Sequence, residues 1–373
     1  MTGAPEPSFA HLVSLTDAGG LYEHALGTRP RPEHGYCVDD VARGLVVTAR
    51  QPDPAVEVVA LRRQYLDFVL AAGAPDGRWH NRRTTSLRWA DQPTTEDCWG
   101  RALWGLGAVV GAPPGSQVPA DEVARALAGF GSGARQRSVD VRADAFAALG
   151  AADVLRTHPD HAVAHALLTE VADRVWSLPA PDGTTDGWRW PEARLRYANA
   201  VLPEVLLAAG ARLGRPDLTA RGLDLLGWLL QVQTHEGHLS VVPVAGRGPG
   251  DVCPGFDQQP IEVAALADAC ALAHESTGEA RWADAVRLAA AWFTGDNDIR
   301  TPLLDPVSGG GCDGLHADRR NENQGAESTL ALVSTLQQAA RLRAATAGGP
   351  GVRTVVAGVT APRTARSTAT GMA

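Results

Sequence analysis

Apolar residues return along this chain at intervals of three and four, the spacing that gathers them on one face of a helix. The pattern predicts helices over 38–50, 55–72, 97–110, 120–130, 140–155, 162–176, 198–213, 218–232, 261–274, 280–293 and 326–344. A short apolar stretch at 9–15 can supply a twelfth. No alternating run exceeds a few residues, so no sheet is expected. The chain reads as all-α.

The helices come in pairs, and the pairs repeat. Asp76-Gly-Arg-Trp79 follows one second-of-pair helix, Asp182-Gly183 another, and Glu236-Gly-His-Leu239 a third. These turns lie 106 and then 54 residues apart, two units and one unit of a common length. An Asp-Gly or Glu-Gly step fits a tight hairpin, because glycine tolerates positive φ. A fixed period in this range marks a repeat architecture. The starts of the first-of-pair helices repeat as well. Asp39-x-x-x-Arg43-Gly-Leu45 aligns with Asp97-x-x-x-Arg101-Ala-Leu103, and Gln259-Pro-Ile-Glu262 resembles Gln324-Gly-Ala-Glu327. About six hairpins can stack as an open solenoid or close into a ring. The closed (α/α)6 toroid is favoured, since in a ring the recurring polar helix starts converge on one face. The pattern predicts one toroid over 1–345. After 345 periodicity stops, and the Gly-, Thr- and Ala-rich segment 346–373 reads as a disordered tail.

Charge and composition narrow the function. Lys and Arg number 34 against 42 Asp and Glu, a net of −8, with no basic stripe, so neither nucleic acid nor an anionic membrane is an expected partner. No stretch is long and apolar enough to span a bilayer, and the first ten residues lack a secretion signal, so a cytoplasmic protein is expected. Five cysteines, scattered and odd in number, fit reduced thiols. Ten tryptophans outnumber six phenylalanines and four tyrosines, and indoles suit the half-apolar, half-wet walls of sugar clefts.

Carboxylates at helix starts are the candidate chemistry. Asp39, Asp40, Glu96, Asp97, Glu262 and Glu327 recur beside Trp- or Gly-rich connections. Any one alone reads first as an ordinary helix cap; their recurrence raises the catalytic reading. Glycoside hydrolysis needs two carboxyl groups across one bond, one protonated and one ionised. Clustering supplies both states, because burial and repulsion raise one pKa while helix-start amides keep another low. Asp39 and Asp40 are separated by about 100° on a helix, so both cannot face the pocket squarely. Asp39 is expected to pair with Arg43 and Asp97 with Arg101, leaving Asp40 and Glu96 as the freer acids. Trp79, Trp89, Trp188 and Trp190 lie in loops and are the stacking candidates, with Asn199, Arg196, Gln259 and His238 as polar wall. Trp99, Trp104, Trp176, Trp228, Trp282 and Trp292 lie on predicted helices and read as core. His235 and His238 flank Glu236 without a third ligand at useful spacing, and Gly309-Gly-Gly311 is no phosphate loop, so neither metal nor cofactor is expected.

Several strings carry a family resemblance over nearly the whole chain to about residue 340. His11-Leu-x-x-Leu15-Thr-Asp17, Glu23-His-Ala25, Gly35-Tyr-Cys-Val-Asp-Asp-Val-Ala-Arg43 and Asn323-Gln-Gly-Ala-Glu-Ser-Thr-Leu330 resemble bacterial six-hairpin glycosidase-like proteins. The chain departs from that pattern at Val38 and Val41, where the family form has Thr and Asn around the paired aspartates. The resemblance implies an (α/α)6 toroid and a carbohydrate substrate. Such proteins are often encoded beside or fused to glycosyltransferases, which makes one an implied partner. The leading expectation is a glycoside hydrolase acting on a short oligosaccharide or an intracellular glycan. A sugar epimerase or polysaccharide lyase would draw on His34, Tyr36 or Tyr197 as proton carriers. A non-catalytic glycan-binding partner of a glycosyltransferase is the third class. Two carboxylates facing across a pocket separate the first from the others.

Overall fold

The computed structural model describes residues 4–178 and 187–347. Six helices form an inner ring: α2 (Val38–Arg50), α4 (Asp97–Val110), α6 (Val141–Thr157), α8 (Val201–Leu213), α10 (Pro260–Thr277) and α12 (Ala326–Ala347). Each packs on the next, and α12 returns to α2 to close the circle. The ring is closed and the architecture is an (α/α)6 toroid. Outside it lie α3 (Val56–Ala72), α5 (Ala120–Gly133), α7 (Ala162–Trp176), α9 (Pro216–Val232) and α11 (Ala280–Phe293), each antiparallel to the inner helix before it. The sixth outer position falls to α1 (Ala10–Ser14), a helix of five residues against α12. None of the described helices is long and apolar enough to cross a membrane.

The inner helices are buried nearly all round, which is why their sequences are rich in alanine and glycine as well as in larger apolar residues. Between α4 and α6 the backbones meet directly. A Cβ added at Gly107 would lie 2.2 Å from the Gly150 carbonyl oxygen, and one at Gly100 would lie 2.1 Å from that of Ala143. Most indoles predicted as core are core: Trp99, Trp282 and Trp292 are fully buried. Trp176 is exposed and Trp104 only partly buried. All five cysteines are unpaired.

The connections are asymmetric. Inner-to-outer links hold two to nine residues, whereas outer-to-inner links hold seven to 32. The long links therefore gather at the face where every inner helix begins. They carry five two-residue ladders in chain order: β1 (Thr16–Asp17) with β2 (Gly20–Leu21), β3 (Ala25–Leu26) with β4 (Arg29–Pro30), β5 (Tyr36–Cys37) with β6 (Arg82–Arg83), β7 (Thr234–His235) with β8 (His238–Leu239), and β9 (Gly314–Leu315) with β10 (Arg320–Asn321). The repeated turns are tight as expected, with φ of +83° at Gly77, and +48° and +86° at Glu236 and Gly237. The third, at 182–183, lies outside the described residues, as does 348–373 of the predicted tail. Helix α12 itself continues to Ala347, past the boundary that periodicity gives.

Candidate active site

Helix α2 opens with Val38-Asp39-Asp40, and its N-cap, Cys37, makes no side-chain cap bond. Asn81, next to strand β6, does that work instead. Its carbonyl oxygen accepts from Val38 N–H and its side-chain oxygen from Asp39 N–H, while its amide donates to Asp39 Oδ2 at 3.1 Å. The aspartates are thus released from capping.

Two arginines organise the acids. Arg43 Nη1 donates to Asp40 Oδ1 at 2.5 Å, and its Nη2 lies 2.7 Å from Glu327 on α12. Arg101 sits with Nε 3.9 Å from Asp39 Oδ1 and Nη2 3.9 Å from Asp97 Oδ2. Its guanidinium lies 4.0 Å from the centre of the Phe146 ring. The expected Asp39–Arg43 pairing is therefore corrected. Arg43 takes Asp40, three residues back on its own helix, because that side faces α12 and Glu327; Asp39 looks across to α4. The Asp97–Arg101 proximity is present, as a looser pair.

A planar guanidinium limits how far its partners can stand apart. Asp40 and Glu327 share the Arg43 guanidinium and so stand no more than roughly 7.5 Å apart, while Asp39 and Asp97 share Arg101 more loosely. Burial pushes Asp40 up to about 8; Arg43 opposes the shift, and Glu327, Glu23 and Asp39 add to it. Burial also raises Asp97, against the pull of Arg101, and the Tyr197 hydroxyl donates to its Oδ1 at 3.0 Å. Three polar atoms here are buried without a hydrogen bond: Asp39 Oδ1, Arg43 Nε and Arg101 Nε. Beneath the arginines the ring interior is lined by Val46, Val47, Trp104, Phe146, Ile261 and Leu330. About 50 Å³ is open there, room for a few waters and not for a sugar ring.

Glu262 has another occupation. Its carboxylate accepts from the Ala198 and Asn199 amides and from Asn199 Nδ2 at 2.9 Å. It braces a turn in which Ala198 has φ +46°, and that turn carries Tyr197. Burial lifts Glu262 to about 7 even with those donors. Replacing it with glutamine is expected to cost about 2 kcal/mol by leaving a buried amide poorly satisfied. A urea melt checks this; unchanged stability with lost turnover would instead place Glu262 on the substrate.

The structure separates the remaining predicted residues. Glu96 holds the N-cap position of α4, exposed, with no side-chain hydrogen bond among the described residues. Asn199 is fully buried, its oxygen accepting from Arg196 N–H and Arg142, so it shapes the turn and offers nothing to a ligand. Arg196 is exposed on the rim, 3.9 Å from Glu192. Gln259 is a half-buried N-cap position of α10 without a cap bond.

Two of the loop indoles expected as stacking surfaces, Trp79 and Trp190, are buried instead. Trp190 is fully buried, donates to Glu192 Oε2 and stacks on Trp228 of α9. Trp188 also packs on Trp228 and donates to the Glu192 carbonyl. Both face the outer helices because their N–H groups and rings find partners there. Trp188 and Trp228 border a broad outer-wall groove with Asp224 and Gln231, which none of the six predicted acids lines. Trp79 is buried. Trp89 is engaged by a parallel His80 ring, the edge of Phe68 and Arg83. His238 is buried against Asp298.

What sequence reasoning missed lies one or two turns inside the ring. Trp104 reads as core, yet it borders the central cavity against Phe146. Asp97, Arg101 and Trp104 lie four and then three residues apart, hence on one helical face, and that spacing was the available signal.

No family model and no curated protein matches the chain. Solved structures do. A cellobiose 2-epimerase of Spirochaeta thermophila is 12% identical, with a TM-score of 0.62 over 89% of this chain and 93% of that one. A family 76 α-mannanase of Bacteroides thetaiotaomicron is 10% identical, with a TM-score of 0.60 over 91% and 94%. A family 9 endoglucanase is 14% identical, with a TM-score of 0.56 over 86% and 74%. At these identities the likeness is one of fold, the six-hairpin toroid on which these carbohydrate-active enzymes are built.

Proposed function

We propose that this protein is a glycoside hydrolase acting on a short oligosaccharide or glycan end at the mouth of the toroid. The observation that carries this reading is the unequal carboxyl pair on Arg43. The Asp40 side chain is 4% exposed and that of Glu327 38%. Burial keeps the proton on Asp40 at neutral pH, while Glu327 stands in water. This is the division of roles that hydrolysis needs. Asp40 gives its proton to the glycosidic oxygen as the C1–O bond breaks. A water oxygen bonds to C1 and its proton passes to Glu327; solvent then resets both groups. In this reading Asp39, whose Oδ1 makes no hydrogen bond, and Asp97 with Tyr197 take sugar hydroxyls. Activity requires protonated Asp40, so kcat/KM is expected to fall as pH rises past about 8.

A second reading rests on the Tyr197–Asp97 hydrogen bond, a phenol beside a carboxylate, which suits proton transfer at a sugar carbon in an epimerase. No imidazole hydrogen-bonds to Asp39, Asp40, Asp97 or Glu327 among the described residues, which favours hydrolysis. One experiment separates the two. An oligosaccharide panel incubated with the protein is read by mass spectrometry and chromatography. Hydrolysis shortens a chain and adds one water per bond broken; epimerisation leaves mass unchanged and shifts retention. Epimerised but never shortened substrates would overturn the first reading.

A further inference from the structure

The β7–β8 hairpin and the connection leaving α11 meet at a cluster that the proposed hydrolysis leaves unused. His235 and His238 are direct cross-strand partners. The turn between them, Glu236-Gly237, holds both φ angles positive, which fixes the pair in register. Between the imidazoles stands Asp298, sixty residues on in the chain. Its Oδ1 is 3.0 Å from His238 Nε2 and 3.6 Å from His235 Nδ1. One ligating atom of each residue lies within 4.8 Å of the other two. His238 and Asp298 are buried, whereas His235 is 34% exposed, so the cluster opens to solvent on one side.

Two details point to an ion rather than to simple hydrogen bonding. His235 Nδ1 is a buried atom with no hydrogen-bond partner. Its 3.6 Å separation from Asp298 is too long for a hydrogen bond. It does match two ligands of one tetrahedral ion, whose edge is about 3.4 Å for bonds near 2.1 Å. The carboxylate is also oriented from behind: Gln258 Nε2 donates to Asp298 Oδ2 at 2.6 Å, leaving Oδ1 toward the imidazoles. A second cluster, Glu23, Cys37 and Asp40, has comparable spacing, but arginines already hold two of its three members.

We propose that His235, His238 and Asp298 bind one divalent transition-metal ion of the zinc class, with water in the open position. Two nitrogens and one oxygen suit zinc or cobalt and not the all-oxygen shells of calcium or magnesium. The ion clamps the β7–β8 hairpin to the α11 exit, and through Gln258 it steadies the start of α10, which carries Glu262. The absence of metal expected from sequence rested on the lack of a third ligand, which the fold supplies as Asp298.

Metal-stripped full-length protein is titrated with Co²⁺ by visible absorption and with Zn²⁺ by equilibrium dialysis. Wild type is expected to bind one ion per chain, with Co²⁺ bands of low coordination number, and Zn²⁺ is expected to raise its Tm. His235→Ala and His235→Gln alter a partly exposed side chain, so their metal-free melts should match wild type. Both should bind Zn²⁺ about a hundredfold more weakly or worse, without the Co²⁺ bands. Absence of saturable binding to wild type, or equal binding by both variants, overturns the proposal. Neither result depends on hydrolytic activity.

Discussion

Asp40→Asn is expected to lower kcat/KM by about 10²–10⁴-fold, the usual contribution of a positioned general acid, while the toroid stays folded. The amide keeps the shape of the neutral carboxyl and can still accept from Arg43 Nη1, so the Arg43 bridge to Glu327 survives. Only the transferable proton is lost. The same substitution carries a stability signature with a definite sign. The Asp40 carboxyl, ordinarily near 3.8, is raised in the fold to about 8. Between those values the unfolded chain has released this proton and the native one retains it. The carboxyl's contribution to stability is therefore complete below pH 4 and declines until about pH 8. Asparagine does not titrate. Relative to the variant, wild type should lose stability across that window, and melts at pH 5 and pH 8.5 measure the difference. Wild-type turnover in Asp40→Asn would remove Asp40 from the chemistry. Parallel pH dependence of the two melts would show that the buried carboxyl is ionised after all.

The sequence was informative wherever a feature depended on residues a few positions apart. Helix α2 spans the 38–50 that apolar spacing predicts, and the Asp-Gly and Glu-Gly turns fold tightly because only their own φ angles are at stake. The recurrence of acids at inner-helix starts was visible, and antiparallel hairpins bring those starts to one face. Their partners were not visible. Arg43 chooses Asp40 and Glu327, not Asp39, because α12 returns beside α2, and nothing local to residue 43 encodes that neighbour. Glu262 looks like every other helix-start acid, yet it serves a turn some sixty residues earlier in the chain. The loop indoles mislead for a related reason. Trp188 and Trp190 lie in a loop as read, but both pack on Trp228, a contact between distant segments. Trp104 shows the reverse: its helical position suggests packing, and ring closure places it on the cavity wall.

Gly107→Ala is expected to destabilise the protein by about 2–3 kcal/mol, although alanine is the better helix former by up to about 1 kcal/mol. The competition is decided by space. At Gly107 the new methyl would meet the Gly150 carbonyl oxygen at 2.2 Å and the Gly150 Cα at 2.5 Å, and both belong to the α6 backbone, which has no rotamer through which to yield. Helices α4 and α6 must separate along their whole contact, because Gly100 and Gly111 make similarly close approaches to the α6 backbone on either side, at 2.1 and 2.4 Å. Gly131, in outer helix α5, is the control. Nothing stands within 4 Å of its added Cβ, so Gly131→Ala should stabilise by about 0.5–1 kcal/mol. Opposite signs for one chemical change isolate packing from propensity, and denaturant melts of the two variants read them directly. A functional consequence follows from the same displacement. Arg101 and Asp97 ride on α4, while Phe146, the ring under the Arg101 guanidinium, rides on α6. Parting these helices shifts the cation that Asp39 and Asp97 share, so residual Gly107→Ala activity should fall even at temperatures where the variant is fully folded. If Gly107→Ala melts like wild type, the two backbones do not touch at this point, and small residues do not set the width of the ring.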